Sequence, residues 1–238
     1  MISFIVPAHD EEALIAGTVR AIQAAAGAAG AAFEIVVVDD ASHDRTAAIA
    51  ALEGARVVHV ECRQIAAARN AGARAAAGEV LVFVDADTLI GADVVTGLIG
   101  AVAGGAVGGG AAVRFDEPMP RWAALLLPLV NAIFRRLRWT GGCFLYCTRA
   151  VFDAVGGFDE SLFAAEEIRL CRALQKRGRL QILRASVLTS GRKVRTYSAW
   201  ELLSAGLRIV LAGRAGTADR SRLGIWYDTR RPDRGPPD

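Results

Sequence analysis

The chain has 238 residues, a formal net charge of +3 and 53% hydrophobic residues. That length suits one α/β domain, or one domain with small extensions, and the apolar content is enough for a core, which excludes a disordered chain. The charge is too small to argue for nucleic acid, and the aromatic–basic interleaving that stacks bases is absent.

The opening Met1-Ile-Ser-Phe-Ile-Val6 lacks a basic start and stops at Pro7, so it reads as a first strand over 3–6 rather than a signal peptide. Residues 11–26 follow as a helix with Leu14, Ile15, Val19 and Ile22 on one side, broken by Gly27 and Gly30. Residues 33–38 form a second buried strand ending in Asp39-Asp40, and Ser42 or Asp44 is placed to cap a helix running to about Leu52. A strand over 56–60 and an Ala-rich helix over 63–76 come next. Then Gly78 gives way to Val80-Leu-Val-Phe-Val84, an apolar run that ends in Asp85-Ala-Asp87. Strands alternating with helices predict a mostly parallel sheet covered on both faces, with ligands bound beyond the carboxyl ends of the strands. Three polar loops, at 7–12, 39–44 and 85–88, therefore converge on one edge.

The second half is less regular. Gly104-Gly105 and Gly108-Gly109-Gly110 flank short β-like pieces that end at 113–115. A helix over 123–138, a loop at Trp139-Thr-Gly-Gly142, a strand over 143–147 and a short helix over 150–155 follow. A helix over 166–177, a short strand over 180–183, a polar basic loop at 190–195 and an amphipathic helix over 198–211 complete the reading. The tail from Asp228, rich in Arg, Pro and Gly, reads as flexible. Cys62, Cys143, Cys147 and Cys171 form no Cys-x-x-Cys pair and read as small core residues of a reducing, cytoplasmic compartment. No segment reaches the roughly 18 apolar residues of a spanning helix. The apolar stretch 123–134, followed by Arg135-Arg136-Leu137-Arg138-Trp139, has the composition of a helix lying at a membrane surface, or of a core helix with a solvated basic end.

Two carboxylates one residue apart at a strand end repel unless a cation sits between them, and a hard divalent metal carrying a phosphate is the natural third party. With that pair in view, five stretches resemble the family 2 glycosyltransferases. They are Ile5-Val-Pro-Ala-His-Asp-Glu-Glu12, Val36-Val-Val-Asp-Asp-Ala-Ser-His-Asp44, Ala68-Arg-Asn-Ala-Gly72, Val84-Asp-Ala-Asp87, and Gly156-Gly-Phe-Asp-Glu160 with Glu166-Glu167. Each is weak alone; together they fall in the family's order over residues 1 to 177. The resemblance implies a GT-A-like, Rossmann-type three-layer α/β/α sandwich with a mostly parallel central sheet. Residues 1–227 would form one catalytic domain, with a nucleotide-sugar half over 1–115, an acceptor half over 116–227 and a flexible tail over 228–238.

The resemblance also implies roles. Asp40 would accept hydrogen bonds from the base of a UDP-sugar or GDP-sugar, with Asp39 supporting the loop and Pro7, Ala8 and Glu11 lying against base and ribose. Arg69 would reach the phosphates, where a planar guanidinium binds bidentately. Asp85 and Asp87 would hold Mg2+ or Mn2+, Asp87 on the metal and Asp85 nearer the ribose or sugar. Gly141 and Gly142 would line the donor sugar. Glu167, beside Glu166, stands where the family has an aspartate that deprotonates the acceptor hydroxyl. The basic loop 190–195 would close over the diphosphate or be a solvated turn. The family usually has an aromatic residue and Asn where this chain has His9 and Asp10, and an acidic residue where it has Arg169. The expected activity is metal-dependent, inverting transfer to a glycan, lipid or lipid-phosphate acceptor, peripheral to the inner face of the membrane. The competing readings are a degenerate nucleotide-sugar-binding protein and, less well supported because 7–11 is acidic, a sugar nucleotidyltransferase.

Overall fold

A computed structural model describes residues 1–198 together with 200, 201 and 204. Eight strands form one sheet in the order β3-β2-β1-β4-β7-β6-β8-β5. The first four are β1 (Ile2–Ala8), β2 (Phe33–Asp40), β3 (Arg56–Val60) and β4 (Val80–Val84), all mutually parallel. Then β7 (Phe144–Thr148) runs antiparallel between β4 and β6 (Gly108–Phe115). Beyond it β8 (Leu180–Thr189) pairs parallel with β6, and β5 (Thr88–Leu89) closes the edge antiparallel to β8. The expected mostly parallel sheet is present, and each antiparallel pair involves β7 or β8 from the second half.

Side chains alternate along each strand, so every central strand feeds two cores. Phe4, Val6, Val37, Val82 and Val84 pack on one face beneath α1 (Ile15–Ala28), α2 (Thr46–Leu52) and α4 (Ala92–Ala103). Ile5, Val36, Val38, Leu81 and Phe83 pack on the other beneath α3 (Ile65–Ala75), α6 (Arg149–Val155) and α7 (Glu166–Gln175). The Ala-rich composition of α3 has the consequence expected of it. A Cβ on Gly72 would lie 2.3 Å from Ile5 Cγ2 and 2.8 Å from Val38 Cγ2, so only glycine lets this helix sit so close to the sheet.

Several boundaries differ from the sequence reading. The first helix starts at Ile15 and runs through Gly27. The glycines at 108–110 lie inside β6 rather than beside it, because β7 and β8 crowd them: a Cβ on Gly109 would collide with the Gln181 carbonyl. The strand at 180 continues to Thr189. The 190–195 loop is largely α8 (Arg192–Thr196). Cys147 and Cys171 are buried as expected, whereas Cys62 is exposed. The helix expected over 198–211 and the tail from 228 lie essentially outside the described residues.

α5 (Arg121–Leu137) is one helix through Pro128, and Asn131 anchors it by exchanging two hydrogen bonds with the backbone of Val113. Its outer side exposes Leu125, Leu129, Val130, Ile133 and Leu137. Among the described residues no helix is long and apolar enough to cross a membrane.

Candidate functional site

The carboxyl ends of β1, β2 and β4 bring the three polar loops together, as the alternating pattern predicts. Ser42 Oγ accepts the Asp10 amide at 3.1 Å, Thr46 Oγ1 accepts the Glu11 amide at 2.8 Å, and Asp44 Oδ2 accepts the Glu12 amide at 3.1 Å. Asp44 also caps α2, its Oδ1 taking the Thr46 amide at 2.9 Å. Pro7 and Ala8 prove to be the last residues of β1, buried and in register with Val38 and Asp39, so of the three residues expected in that loop only Glu11 lies in it.

One buried arginine organises the centre. Arg69, on α3, is 2% exposed. Its Nη1 donates to Glu166 Oε1 at 2.8 Å, and its Nη2 donates to Asp85 Oδ1 at 2.9 Å and to the Gly142 carbonyl at 2.7 Å. The guanidinium lies over the Phe158 ring at 5.3 Å. It thereby joins α7, the end of β4 and the 139–142 loop. In this structure both terminal nitrogens of Arg69 are directed at protein groups, which they position, while its buried Nε has no hydrogen-bond partner. Asn70, next on α3, holds the 156–160 turn by exchanging hydrogen bonds with the backbone of Phe158 at 2.9 Å, and it donates to Glu160 Oε1 at 2.8 Å. Gly157 in that turn has φ +73°, and a Cβ there would meet Asn70 Oδ1 at 2.7 Å.

The charge around Arg69 is unbalanced. Burial opposes the guanidinium's charge, but the carboxylates of Asp85, Glu166 and Glu167 outweigh it and hold the group protonated. One cation facing three carboxyls leaves an acidic excess. Glu167 takes the consequence: burial first, then the neighbouring Glu166 charge, push its carboxyl up to about 8. Glu166 is buried against Arg69, whereas Glu167 is only partly buried and turns toward the 139–142 loop, where a Cβ on Gly142 would lie 3.9 Å from Glu167 Oε1. The two acidic residues that open α7 are thus separated by role. Glu166 orients Arg69, and Glu167 is the half-buried carboxyl with a raised affinity for protons.

Asp87 sits at the other side of the mouth. Its Oδ1 lies 3.4 Å from Thr88 Oγ1 and 3.3 Å from Thr189 Oγ1, the facing pair of β5 and β8. Arg192 of α8 donates through Nη2 to Glu11 Oε1 at 3.1 Å, and the same nitrogen lies 3.9 Å from Asp87 Oδ2. The basic segment therefore folds over the mouth, fixed further by Arg195, which pairs with Asp116 Oδ1 at 2.7 Å. Asp85 and Asp87 offer hard oxygen donors of the kind that suit Mg2+ or Mn2+. Cys143, between them and Arg69, has its thiol held protonated by burial and by the Asp85 and Asp87 charges, so it is no nucleophile.

At the base side the two aspartates divide unexpectedly. Asp40 spends its carboxylate on the turn that leads into α3: Oδ1 accepts the amides of Cys62 at 2.7 Å and Arg63 at 2.8 Å, and Oδ2 accepts that of Gln64 at 3.1 Å. Asp39 Oδ2 accepts from His59 Nδ1 at 3.0 Å, but its buried Oδ1 has no hydrogen-bond partner. A buried carboxylate oxygen left unpaired is costly, and a ligand N–H is what would satisfy it. The resemblance pointed to Asp40 for the base; the sequence did not show that the amides of 62–64, in the turn before α3, would occupy its carboxylate. Sequence reasoning assigned no role to Thr88, Thr189 or Phe158, although Thr88 lies in the 85–88 loop and Phe158 in the Gly156–Glu160 stretch; their roles become visible only through strand pairing and the packing on α3.

Residues 3–157 match the profile of the family described as Glycosyl transferase family 2. An undecaprenyl-phosphate 4-deoxy-4-formamido-L-arabinose transferase of Pseudomonas aeruginosa is 34% identical over 138 residues, 54% of this chain and 41% of that protein, so the chain matches less than half the length of this relative. A mannosyltransferase from Pyrobaculum calidifontis in complex with GDP-Man and Mn2+ superposes with a TM-score of 0.68 at 19% identity, covering 90% of this chain and 62% of that one. S. aureus TarS 1-349 in complex with UDP-GlcNAc gives 0.66 at 19% identity, with 94% and 69% covered. The glucosyl-3-phosphoglycerate synthase of Mycobacterium tuberculosis, in complex with Mn2+, UDP and glucosyl-3-phosphoglycerate, gives 0.62 at 22% identity, with 92% and 81% covered. These likenesses establish the fold as that of the GT-A glycosyltransferases.

Proposed function

The chain belongs to glycosyltransferase family 2, and from that premise we propose that it moves a sugar from a UDP- or GDP-sugar to an acceptor by a single inverting displacement. The observation that carries this reading is the Arg69 network, which fixes a proton-hungry carboxyl, Glu167, relative to the Asp85 carboxylate. The donor base meets Asp39 Oδ1, whose unpaired oxygen takes a uracil or guanine N–H. Asp87 and Asp85 would hold a divalent cation, which when bound would offset negative charge on the departing nucleotide diphosphate. Arg192 exchanges Glu11 for the diphosphate and supplies a second positive charge. Where the acceptor is a hydroxyl, Glu167 takes its proton, for which an affinity near neutral pH is suited; an ionised phosphate acceptor attacks without that step.

The elements at 1–115 serve the donor, and those after 116 serve the acceptor and the closing segment. The two halves are tied by the Arg69–Glu166 and Arg192–Glu11 pairs. A lipid phosphate as acceptor is favoured by one further observation. The exposed ridge of α5 (Leu125, Leu129, Ile133, Leu137) ends in exposed Arg135, Arg136 and Arg138, the composition of a helix resting on an anionic membrane. Only the 139–141 stretch separates Arg138 from Gly142, a span of at most about 14 Å, so a headgroup held there lies within reach of the centre. We therefore place the enzyme at the inner membrane face. The test is release of nucleotide diphosphate from UDP- and GDP-sugars with Mn2+, using liposomes carrying a polyprenyl phosphate and, separately, soluble glycans. Turnover with one donor class supports the transfer reading. Nucleotide binding without turnover on any acceptor supports a degenerate binding protein.

A further inference from the structure

His9 and Asp10 of the first loop stand against His43 of the second loop. We propose that His9, Asp10 and His43 form a second metal site, separate from the Asp85–Asp87 pair, that takes a transition metal such as Zn2+ or Co2+. The ligand atoms of the three residues all lie within 4.8 Å of one another. Asp10 Oδ2 is 3.4 Å from His9 Nε2 and 3.7 Å from His43 Nδ1. These separations are long for hydrogen bonds, which run to about 3.2 Å. The first is close to the edge of a tetrahedron around a metal with bonds of 2.0–2.1 Å, about 3.3 Å, and the second is a few tenths of an ångström longer, so His43 on its exposed loop would close in on binding.

The surroundings are those of a built ligand set. His9 Nδ1 lies 2.8 Å from the Asp40 carbonyl oxygen, which can only accept. Nδ1 therefore carries the ring proton, and Nε2 presents its lone pair toward Asp10. A carbonyl fixing the far nitrogen of an imidazole is the usual support of a metal-bound histidine. Asp10 is oriented in the same way: its Oδ1 accepts the His43 amide at 2.7 Å, which leaves Oδ2 on the side of the imidazoles. Two imidazole nitrogens and one carboxylate select Zn2+, Co2+, Ni2+ or Cu2+ over Mg2+, whereas the Asp85–Asp87 pair offers oxygen alone. A metal here would staple the β1–α1 loop to the β2–α2 loop through the carbonyl of Asp40, beside the unpaired Asp39 oxygen, and so stiffen the base end of the crevice.

One group opposes it. Arg63 Nη2 lies 3.2 Å from His43 Nε2 and donates to it, which places the His43 proton on Nδ1. Coordination through Nδ1 moves that proton to Nε2 and displaces Arg63, an exposed side chain free to swing away.

The experiment is titration of the metal-stripped protein with Zn2+ by calorimetry and with Co2+ by visible absorption. Four forms are compared: wild type, His43→Ala, Arg63→Ala and Asp87→Ala. The proposal expects one equivalent of Zn2+ and an intense tetrahedral Co2+ band. Both should weaken at least ~10-fold in His43→Ala, strengthen in Arg63→Ala and persist in Asp87→Ala. Binding that survives His43→Ala unchanged, that is lost in Asp87→Ala, or that is absent from the wild type at millimolar metal, overturns it. Circular dichroism of His43→Ala, an exposed loop substitution, confirms that the fold is kept.

Discussion

Replacing Glu167 with Gln should make the protein more stable and less active at once, and the stability gain should grow from nothing near pH 4.5 to its full size above about pH 8. Glu167 has its carboxyl raised from an ordinary value of 4.5 to about 8 by burial and by Glu166. The folded protein therefore holds a proton there that the unfolded chain releases, so between about pH 4.5 and pH 8 stability is lost as pH rises. Each pH unit of that window is worth about 1.4 kcal/mol, which gives a ceiling of about 5 kcal/mol. Because the carboxyl is only partly buried and water reaches it, about half of that is expected. Gln keeps the shape without the charge, so Glu167→Gln should match wild type near pH 4.5 and exceed it by about 2 kcal/mol at pH 9. With an unfolding entropy of about 2.1 cal/mol/K per residue, this is a rise of roughly 4–5 °C in Tm. The assay is thermal unfolding of both proteins across pH 4.5–9, without metal or nucleotide. A Tm difference that is flat with pH, or that favours wild type at pH 9, would refute the account of Glu167. In turnover the same variant should lose about 10²–10⁴-fold with a hydroxyl acceptor and far less with a phosphate acceptor, whose oxygen is already ionised.

Arg69→Leu leaves the buried Glu166 and the Asp85 carboxylate without their partner and should cost about 3–5 kcal/mol, with much of the loss recovered in Arg69→Leu/Glu166→Leu. Both are read by denaturant unfolding, and an equal loss in the single and double variants would contradict the network. Arg192→Ala removes a charge-assisted contact of about 1.5–3 kcal/mol, so the donor KM should rise roughly 10–100-fold while the Tm stays within a degree or two. Leu129→Glu with Ile133→Glu changes two exposed residues, so unfolding should shift by less than about 0.5 kcal/mol each, while sedimentation with anionic liposomes should fall sharply.

Much of the donor half was legible because its strands are continuous apolar runs that end in acidic residues: Val36-Val-Val-Asp-Asp40 and Val82-Phe-Val-Asp-Ala-Asp87 announce strand, loop and candidate site together. Side-chain roles were less legible, because they depend on which neighbour claims each oxygen. Asp39 and Asp40 are adjacent and identical in sequence, yet alternation sends one toward the 62–64 turn before α3, whose amides consume it, and the other toward a single histidine. By resemblance Arg69 was expected to reach the phosphates from an Ala-rich helix. The small residues that bring α3 close to the sheet are also what bury it among Asp85, Glu166 and Phe158. β6 was misread as fragments because its glycines break strand propensity, whereas crowding from Gln181 and Tyr146 is what demands them.

The central claim is that the edge formed by β1, β2 and β4 binds a nucleotide sugar through a cation held at Asp87. Its most direct test is thermal unfolding with UDP, GDP and their sugars, with and without Mn2+, for wild type and Asp87→Ala. A ligand at ~100 times its Kd adds about 2.7 kcal/mol, or roughly 5 °C for a chain of this size. The account predicts a Mn2+-dependent rise with one nucleotide class in wild type and none in Asp87→Ala. A rise of equal size in both proteins, or no rise with any nucleotide in a folded sample, would contradict it.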